Sequence, residues 1–378
     1  MFDYEMLRVI WWALLGILLI GFAVTDGFDL GLGASFRFLG RTDLERRTLI
    51  ACFEPVWEGN QVWLLLGGGA VFAAWPLLYA ASFSGLYPAM FLLLVALILR
   101  PVGFGFRNHL ADERWRNSWD WALTIAGAVP ALLFGVAFGN LFLGIPFHFD
   151  PLQRTLYTGG FFNLLQPFAL LAGVVSLSMM LLHGTTYAAM KVGEPMAGRA
   201  RTAVMFAAGV FLASFVCAHF WVRSALPGYQ IASAIDHAGD SNPLSKIVTV
   251  VAGAWMDNFN HWPWMWAAPL TAIVAAAGTV LATLTRRPTV AFLLSALTSA
   301  GTILTAGFAL FPFLLPSSSE PNQSLTVWDA SSSAATLRIM LWAAIIFVPL
   351  ILLYTTWVFR VLRGQITLEN LTDQHGTH

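Results

Sequence analysis

The sequence contains apolar stretches that are too long for a soluble domain. Residues 59–99 carry no charged side chain, and this run is about twice the roughly 20 apolar residues that a membrane-spanning helix needs. Only 11% of all side chains are charged, whereas soluble domains carry roughly 25%. The pattern therefore predicts an all-α polytopic integral membrane protein and excludes a soluble domain with a large core.

Long gaps between charged residues predict about nine transmembrane helices. The charge-free run is divided into two spans, because Pro76 and the segment 79–87 offer a turn. The predicted spans lie near 9–27, 57–76, 82–100, 121–144, 158–183, 202–222, 262–284, 289–315 and 339–359. They form a single membrane domain over 1–378, which ends in a polar cytoplasmic tail at 364–378.

The distribution of positive charge predicts the orientation of this bundle. An odd number of spans places the two termini on opposite sides of the membrane. If the N-terminus is outside, fifteen of the twenty Lys and Arg residues fall in segments on the inside. Because inside loops of membrane proteins are enriched in Lys and Arg, we expect the N-terminus outside and the C-terminus in the cytoplasm. No cleavable signal peptide is expected.

Two carboxylates stand at the predicted inner end of the first span, in the stretch Thr25-Asp-Gly-Phe-Asp-Leu-Gly-Leu-Gly33. Asp26 and Asp29 are three residues apart, so a helix would place them on one face. Glu58 begins the second span at the same surface. The three acids could form one cluster open to the inside that takes up protons from the cytoplasm, because intramembrane carboxylates often belong to proton paths.

The same residues also fit plainer roles. Asp26 and Glu58 could be solvated helix ends, with Glu58 favoured by the helix dipole at an N-terminus. The glycines in 27–33 could serve only close helix packing. For Asp120, which follows Trp115-Arg-Asn-Ser-Trp119, a helix cap or an arginine partner is the expected role. Spacing alone leaves both interpretations of the acids open.

The sequence offers few residues for a metal or a haem. His183 and His219 are the two histidines inside apolar runs, and they fall at different depths, so we do not expect them to bind one haem from two sides. Cys52 and Cys217 lie in different segments, which argues against a disulfide or a metal pair. The chain has no metal-ligand cluster, nucleotide loop or nucleophile elbow. Neither a catalytic residue nor nucleic-acid binding is predicted, which leaves a transporter or a subunit of a redox complex.

Ten short blocks, in order along nearly the whole chain, resemble subunit II of the cytochrome bd-type quinol oxidases. Each block is weakly specific, but the ordered series is highly specific. The blocks are Phe22–Gly31, Glu58–Trp63, Phe72–Pro76, Arg100–Phe104, Trp115–Asp120, Phe138–Asn140, Ser241–Leu244, Gly253–Met256, Phe311–Ser317 and Ser324–Ser331.

The resemblance implies a partner, a reaction and a location. In this family, a haem-bearing subunit I carries two haem b groups and one haem d, and the heterodimer reduces dioxygen to water with electrons from quinol. The complex builds a proton gradient for the respiratory chain without pumping, since quinol protons are released outside and protons for water come from inside. Some members also hold a structural quinone in subunit II. A small accessory membrane subunit is a further candidate partner, and the expected location is the bacterial cytoplasmic (inner) membrane, in contact with the lipid bilayer.

The resemblance also implies roles for the acids. Family members have an acidic residue at the start of the second helix, often Asp, in a proton route toward the oxygen-reducing haem; Glu58 matches that position. Asp26 and Asp29 match the family motif and would sit at the cytoplasmic mouth of the route. The expected function is therefore a non-haem subunit that stabilises subunit I and delivers protons. The alternatives are a proton-coupled secondary transporter, which broken helices and inverted repeats would favour, and a purely structural scaffold.

Overall fold

The apolar runs of the sequence form long helices in the computed structural model, which describes residues 2–152 and 154–366. Twelve α-helices are present in this part of the chain. They are α1 (Tyr4–Leu39), α2 (Asp43–Phe53), α3 (Trp57–Ala74), α4 (Pro76–Gly85), α5 (Tyr87–Phe106), α6 (Glu113–Leu143), α7 (Pro167–Lys191), α8 (Met196–Ser224), α9 (Asp257–His261), α10 (Ala267–Leu284), α11 (Pro288–Leu310) and α12 (Ala334–Val361).

The prediction of about nine spans is confirmed for the described ranges. Eight segments are long and apolar enough to cross a membrane, namely α1, α5 to α8, α10 to α12. The helices α3 and α4 supply a ninth span if they are counted together, although they are bent by 119° relative to each other. The bend falls at Trp75, because the residue before a proline is driven out of the helical conformation.

Several predicted helix bounds are wrong. The first span was expected at 9–27, but α1 continues through the glycine-rich motif to Leu39 and ends at Gly40. The span expected at 158–183 begins only at Pro167, because a short 3-10 helix at Phe161–Leu164 precedes it. The helix expected at 289–315 ends at Leu310, since a proline at 312 cannot continue it.

The helix α2 was not predicted, because it is too polar to be a membrane span. Its start is defined by a capping box, in which the Thr42 side chain accepts from the Glu45 N–H and the Glu45 side chain accepts from the Thr42 N–H. The other spans start or end within about two helical turns of the predicted positions, as charged turns beyond the hydrocarbon remain helical. The polar tail predicted at 364–378 lies largely outside the described residues, which end at 366.

Three antiparallel hairpins cover the end of the bundle where α6, α8 and α11 finish. They pair β1 (Phe147–Phe149) with β2 (Thr155–Tyr157), β3 (Pro227–Ile231) with β4 (Val248–Ala252), and β5 (Phe313–Leu315) with β6 (Leu325–Thr326).

A fully buried arginine ties these connecting segments to the first helix. Arg8 donates to the Ser331 hydroxyl at 2.7 Å, to the His237 carbonyl at 2.6 Å and to the Gly239 carbonyl at 3.0 Å. Its guanidinium also lies 3.7 Å from the centre of the Tyr4 ring. Neutral oxygens and an aromatic face therefore satisfy this buried cation.

The helix α1 lies at the centre of the bundle and packs against α3, α6, α7 and α11. Two of its glycines allow this close approach. A methyl group on Gly31 would overlap the backbone of Met180 in α7, and a methyl group on Gly33 would lie 3.3 Å from Gly127 in α6. The proposed packing role is thus confirmed for these two glycines, whereas Gly27 has ordinary space around it.

The replacement Gly31→Ala tests this packing. We expect it to push α1 away from α7 and to destabilise the protein by about 1–3 kcal/mol, as overpacking does elsewhere. The measurement is the thermal unfolding midpoint of the purified protein in mild detergent. Gly209→Ala is the matched control, because that glycine is in a spanning helix with no neighbour within 4 Å. Equal midpoints for the two variants would contradict the packing role.

Candidate functional site

The first acid of the motif forms a buried ion pair. Asp26 is 0% exposed, and its Oδ1 accepts from Arg100 Nη1 of α5 at 2.5 Å. Arg100 is itself only 3% exposed. The pair therefore joins α1 to α5 inside the membrane domain, where breaking it by removing one partner is costly.

The second acid lies one helical turn further along α1 and is held by a different helix. Asp29 is 1% exposed, and its Oδ2 accepts from Asn60 Nδ2 of α3 at 2.7 Å. The hydroxyl of Thr25, just before the pair, donates to the Gly21 carbonyl of its own helix at 2.7 Å. The two acids, Asn60 and Arg100 thus form one polar site between α1, α3 and α5, which we call the acid pair site.

The acid pair site holds one more acid than it has cations. Asp26 Oδ2, Asp29 Oδ1 and Arg100 Nη2 are buried without a hydrogen-bond partner among the described residues. If both carboxylates were ionised, the single guanidinium would leave one negative charge uncompensated in a dry environment. A proton on one carboxylate removes that charge, so the site is chemically suited to hold and exchange a proton.

The two aspartates lie within α1 and not at its end, where the sequence analysis placed them. The prediction placed the acids at the end of the first helix and at the mouth of a route, but α1 continues for ten residues beyond Asp29, or about 15 Å. Asp26 is therefore not the solvated helix end of the plainer interpretation, and both aspartates are buried. The reason is that Gly31 and Gly33 allow tight packing of the following turns instead of ending the helix.

Glu58 does not join the two aspartates in this chain. It lies in the first turn of α3 and is exposed, and its side chain makes no hydrogen bond or ion pair with another residue in the described ranges. Asn60 takes the position facing α1 instead. Residues two positions apart in a sequence are separated by about 200° around a helix. Glu58 and Asn60 therefore point to nearly opposite sides of α3.

A buried histidine borders the acid pair site. His183 of α7 donates from Nε2 to the Val24 carbonyl at 2.9 Å, and its Nδ1 lies 2.7 Å from the Ser295 hydroxyl of α11. Its ring stacks on Phe292 with centroids 4.7 Å apart. Both ring nitrogens are engaged, so this histidine has no free nitrogen for a haem iron. The described residues contain no group of three His, Cys, Asp or Glu side chains able to hold a metal ion.

A second ionic cluster lies at the end of the bundle where α5 ends and α6 begins. Asp120 is 0% exposed and accepts from Arg46 Nη1 and from Arg107 Nε, each at 2.6 Å. Arg107 also pairs with Asp43 of α2 at 2.9 Å. Asp120 therefore has the predicted arginine partner, while Asp112 is the residue that caps α6. The cluster fixes α2 against the two spans.

An apolar cavity of about 200 Å³ lies beside the acid-bearing helix, between α1, α6, α7, α8 and α11. Its walls are mostly aromatic and small residues, including Phe22, Phe134, Gly139 and Phe215. His219, the second intramembrane histidine, is among the few polar side chains that line it. The cavity has the character of a site for an apolar ligand.

Sequence reasoning missed two residues of the acid pair site. Arg100 was counted only as an inside positive charge, and Asn60 was not considered. The available signal was that Arg100 ends the charge-free run and is followed by Pro101 in the same apolar helix. A cation in such a position needs a partner, and an intramembrane acid is the natural one.

Comparison with known proteins identifies the class. A family model described as cytochrome bd terminal oxidase subunit II matches residues 7–362. The chain therefore belongs to the subunit II family of the cytochrome bd terminal oxidases, a family of multi-pass proteins of the bacterial inner membrane.

Individual members of this family match the chain over nearly its whole length. The chain is 51% identical over 378 residues to cytochrome bd-I ubiquinol oxidase subunit 2 of Escherichia coli, covering 100% of this chain and 99% of that protein. It is 50% identical to the probable cytochrome oxidase subunit 2 of Haemophilus influenzae, covering 99% of both. A chain in the structure of the bd oxidase from Geobacillus thermodenitrificans has the same fold, with a TM-score of 0.68 and 16% sequence identity. The match covers 94% of this chain and 98% of that one.

A double-mutant cycle tests the buried ion pair. We expect Asp26→Asn and Arg100→Gln each to destabilise the protein by about 3–5 kcal/mol, because each leaves one buried charge unpaired. The double variant Asp26→Asn/Arg100→Gln should lose less stability than the sum of the losses in the two single variants. The measurement is the thermal unfolding midpoint, with Arg360→Gln, on exposed Arg360 of α12, as the control. Additive losses would contradict the pairing.

The attachment of α2 should depend on pH through Glu45. Burial raises the pKa of Glu45, but hydrogen bonds from Arg199 and from the N–H groups of Arg41 and Thr42 lower it, and the pKa falls below its ordinary value of 4.5. Such a group stabilises the fold above pH 4.5, and this contribution is lost as the pH falls through the lowered pKa.

We therefore expect Glu45→Gln to lower the unfolding midpoint at pH 6.5, with a difference from the unaltered protein that shrinks as the pH falls below 4.5 and through the lowered pKa of Glu45. Glu320→Gln is the control, because that side chain is exposed and makes no hydrogen bond or ion pair with the other described residues. A difference that stays constant between the two pH values would contradict the role of Glu45.

Proposed function

We propose that the chain is the haem-free subunit of a bd-type complex that oxidises quinol and reduces dioxygen to water. In this proposal it supports the haem-bearing subunit I and contributes a proton-uptake route from the cytoplasm, and the complex generates a proton gradient without pumping. The observation that carries the proton role is the acid pair site, where two carboxylates are buried together with a single guanidinium, which is paired with Asp26.

The exposed apolar faces support a membrane partner. Only Leu337 and Leu341 of the 28 residues in α12 are buried, and α12 contacts α3 beside it. On α3, Gly69 is exposed, and a methyl group added to it would meet no atom within 4 Å. Small residues on an exposed face allow another helix to approach closely. We propose that this face packs against subunit I and that the remaining apolar surface contacts lipid; a small accessory subunit could share it.

We propose that haem b and haem d are carried by the partner. When bound there, the haems would supply electron transfer and the reduction of oxygen. Within the described spanning helices, His183 and His219 are the two histidines, and both ring nitrogens of His183 are already hydrogen-bonded. The task left to this chain is to hold and deliver protons.

The proposed route runs with the N-terminus outside and the C-terminus in the cytoplasm. This orientation places the ionic cluster of Asp120 and its arginines on the inside, in accord with the enrichment of positive charge there. Asp29 and Asp26 would hold the proton in the interior of this chain, with Arg100 stabilising whichever carboxylate is ionised. Glu58, exposed on α3, would face the partner and pass the proton toward it.

The apolar cavity is the proposed site of a structural quinone. Its aromatic and small lining residues suit an isoprenoid chain, and His219 and Ser176 could hydrogen-bond a polar headgroup. No step of the proton route depends on this ligand.

The alternative of a proton-coupled secondary transporter has one supporting observation, the broken pair α3 and α4. Transporters place such breaks at their binding sites. Here the break at Trp75 is fifteen residues from Asn60, which is about 22 Å along the helix. The break therefore does not build the acid pair site, and the oxidase proposal is the better supported one.

The first experiment separates the oxidase from the transporter. Material that copurifies with this chain in mild detergent is examined by reduced-minus-oxidised absorption spectroscopy. The oxidase proposal predicts a red band of a chlorin-type haem and a second membrane subunit. A preparation that stays colourless even on coexpression with the partner would contradict it and favour transport.

The second experiment tests the proton role. We expect Asp29→Asn and Glu58→Gln to slow quinol-dependent oxygen consumption by about tenfold or more, because each removes a group that can accept a proton. Haem content and assembly should be unchanged. Glu54→Gln is the control, since that acid is exposed nearby at the end of α2. Full oxygen consumption by Glu58→Leu in an intact complex would exclude Glu58 from the route.

A further inference from the structure

A second cavity, of about 250 Å³, lies at the end of the bundle opposite the hairpins. It is formed where α7 ends, α8 begins and the turn between α10 and α11 passes. Its floor is apolar, with Ala189, Val192, Ala197 and Ala291, and three arginines line it. We call it the arginine cavity; its cationic residues are Arg201, Arg286 and Arg287.

The charges of the arginine cavity are not balanced by its own residues. Glu194 is the one acidic side chain among its lining residues, and it is already paired with Arg201 at 2.5 Å. The hydrogen bond from Arg201 and, to a smaller extent, the nearby charge of Arg286 lower the pKa of Glu194, so this acid is ionised and offsets one of the three positive charges. Arg286 and Arg287 make no ion pair within residues 2–152 and 154–366. The cavity therefore has two uncompensated positive charges.

Arg286 and Arg287 lie in a tight turn between α10 and α11 that contains a left-handed residue. Arg286 has a φ of 55°, a left-handed conformation that is uncommon for a residue with a side chain. The turn is fixed by the Arg286 N–H bonding to the Thr283 carbonyl and the Arg287 N–H bonding to the Ala282 carbonyl, at 3.1 and 2.8 Å. Helix α11 then starts without a side-chain cap. Its first N–H groups add partial positive charge at the cavity.

The opposite wall of the arginine cavity is held in place independently. Gln365 forms part of this wall. Lys191 at the end of α7 donates to the carbonyls of Leu362 and Gly364, at 2.5 and 3.2 Å. The Ile366 N–H donates to the Lys191 carbonyl at 2.8 Å. The segment that follows α12 is thus tied to α7 by hydrogen bonds, and these bonds hold this wall of the cavity in place.

We propose that the arginine cavity binds the phosphate group of an anionic membrane lipid. Guanidinium groups bind phosphate through paired hydrogen bonds, and basic pockets between spanning helices suit anionic lipid headgroups. The occupant is a lipid because α10 and α11, which carry the turn, also expose Leu281, Leu284 and Leu293 where acyl chains would lie. This site is separate from the acid pair site and does not depend on the proton role.

The test uses the complete complex, delipidated in detergent, with phosphatidylglycerol as the added probe and native mass spectrometry as the readout. We expect Arg286→Gln/Arg287→Gln to weaken binding of the tightest phosphatidylglycerol by at least about tenfold, or roughly 1.4 kcal/mol. Phosphatidylcholine should bind both forms weakly and equally. The control is Arg41→Gln/Arg114→Gln, which removes the same charge from exposed positions without side-chain partners at the same end.

Three outcomes would overturn the proposal. Equal binding of phosphatidylglycerol by the unaltered and double-variant complexes would remove the site. Equal weakening by the control pair would assign the effect to diffuse surface charge. Binding of inorganic phosphate as tight as that of the lipid would identify a site for a free anion. If the double variant does not assemble, Arg286→Gln and Arg287→Gln are measured singly, each with an expected loss of about threefold.

Discussion

The buried ion pair between Asp26 and Arg100 is the constraint on which the membrane domain depends. Each partner is nearly inaccessible to water, so each is tolerable only because the other is present. The pair fixes α5 against α1, and the adjacent bond from Asn60 to Asp29 fixes α3 against the same side. Three helices that are separated in the sequence are thereby held around one polar centre.

The close packing around this centre has a direct effect on its chemistry. Gly31 and Gly33 let α6 and α7 approach α1 at the backbone level, and they close the space beyond the two acids. The carboxylates therefore lie in a dry interior where an uncompensated charge is unfavourable. A site of this kind responds strongly to the arrival or departure of a single proton, which a solvated pair at a helix end would not do.

Much of the architecture could be predicted from the sequence, because a long apolar run has few alternatives in a membrane. The number of spans and the location of Asp26 and Asp29 on one helix face followed from periodicity and hydropathy. The partner of Asp26 did not, since Arg100 is 74 residues away and no local pattern encodes that contact. The length of α1 was also missed, because a motif rich in glycine resembles a helix end when it is instead a packing surface. Glu58 was placed with the aspartates on depth alone, while the rotation of α3 turns Asn60 toward them.

The buried Arg8 has a consequence for how the chain is made. Ribosomes synthesise the N-terminal helix first, but the partners of this guanidinium are 229 to 323 residues further along. Until the segments around Gly239 and Ser331 have been translated, its charge must be satisfied by water or lipid headgroups at the membrane surface. The first helix to enter the membrane is therefore among the last to acquire its complete set of contacts. The contacts at the start of this helix are completed only when the segment before α12, which contains Ser331, has been made.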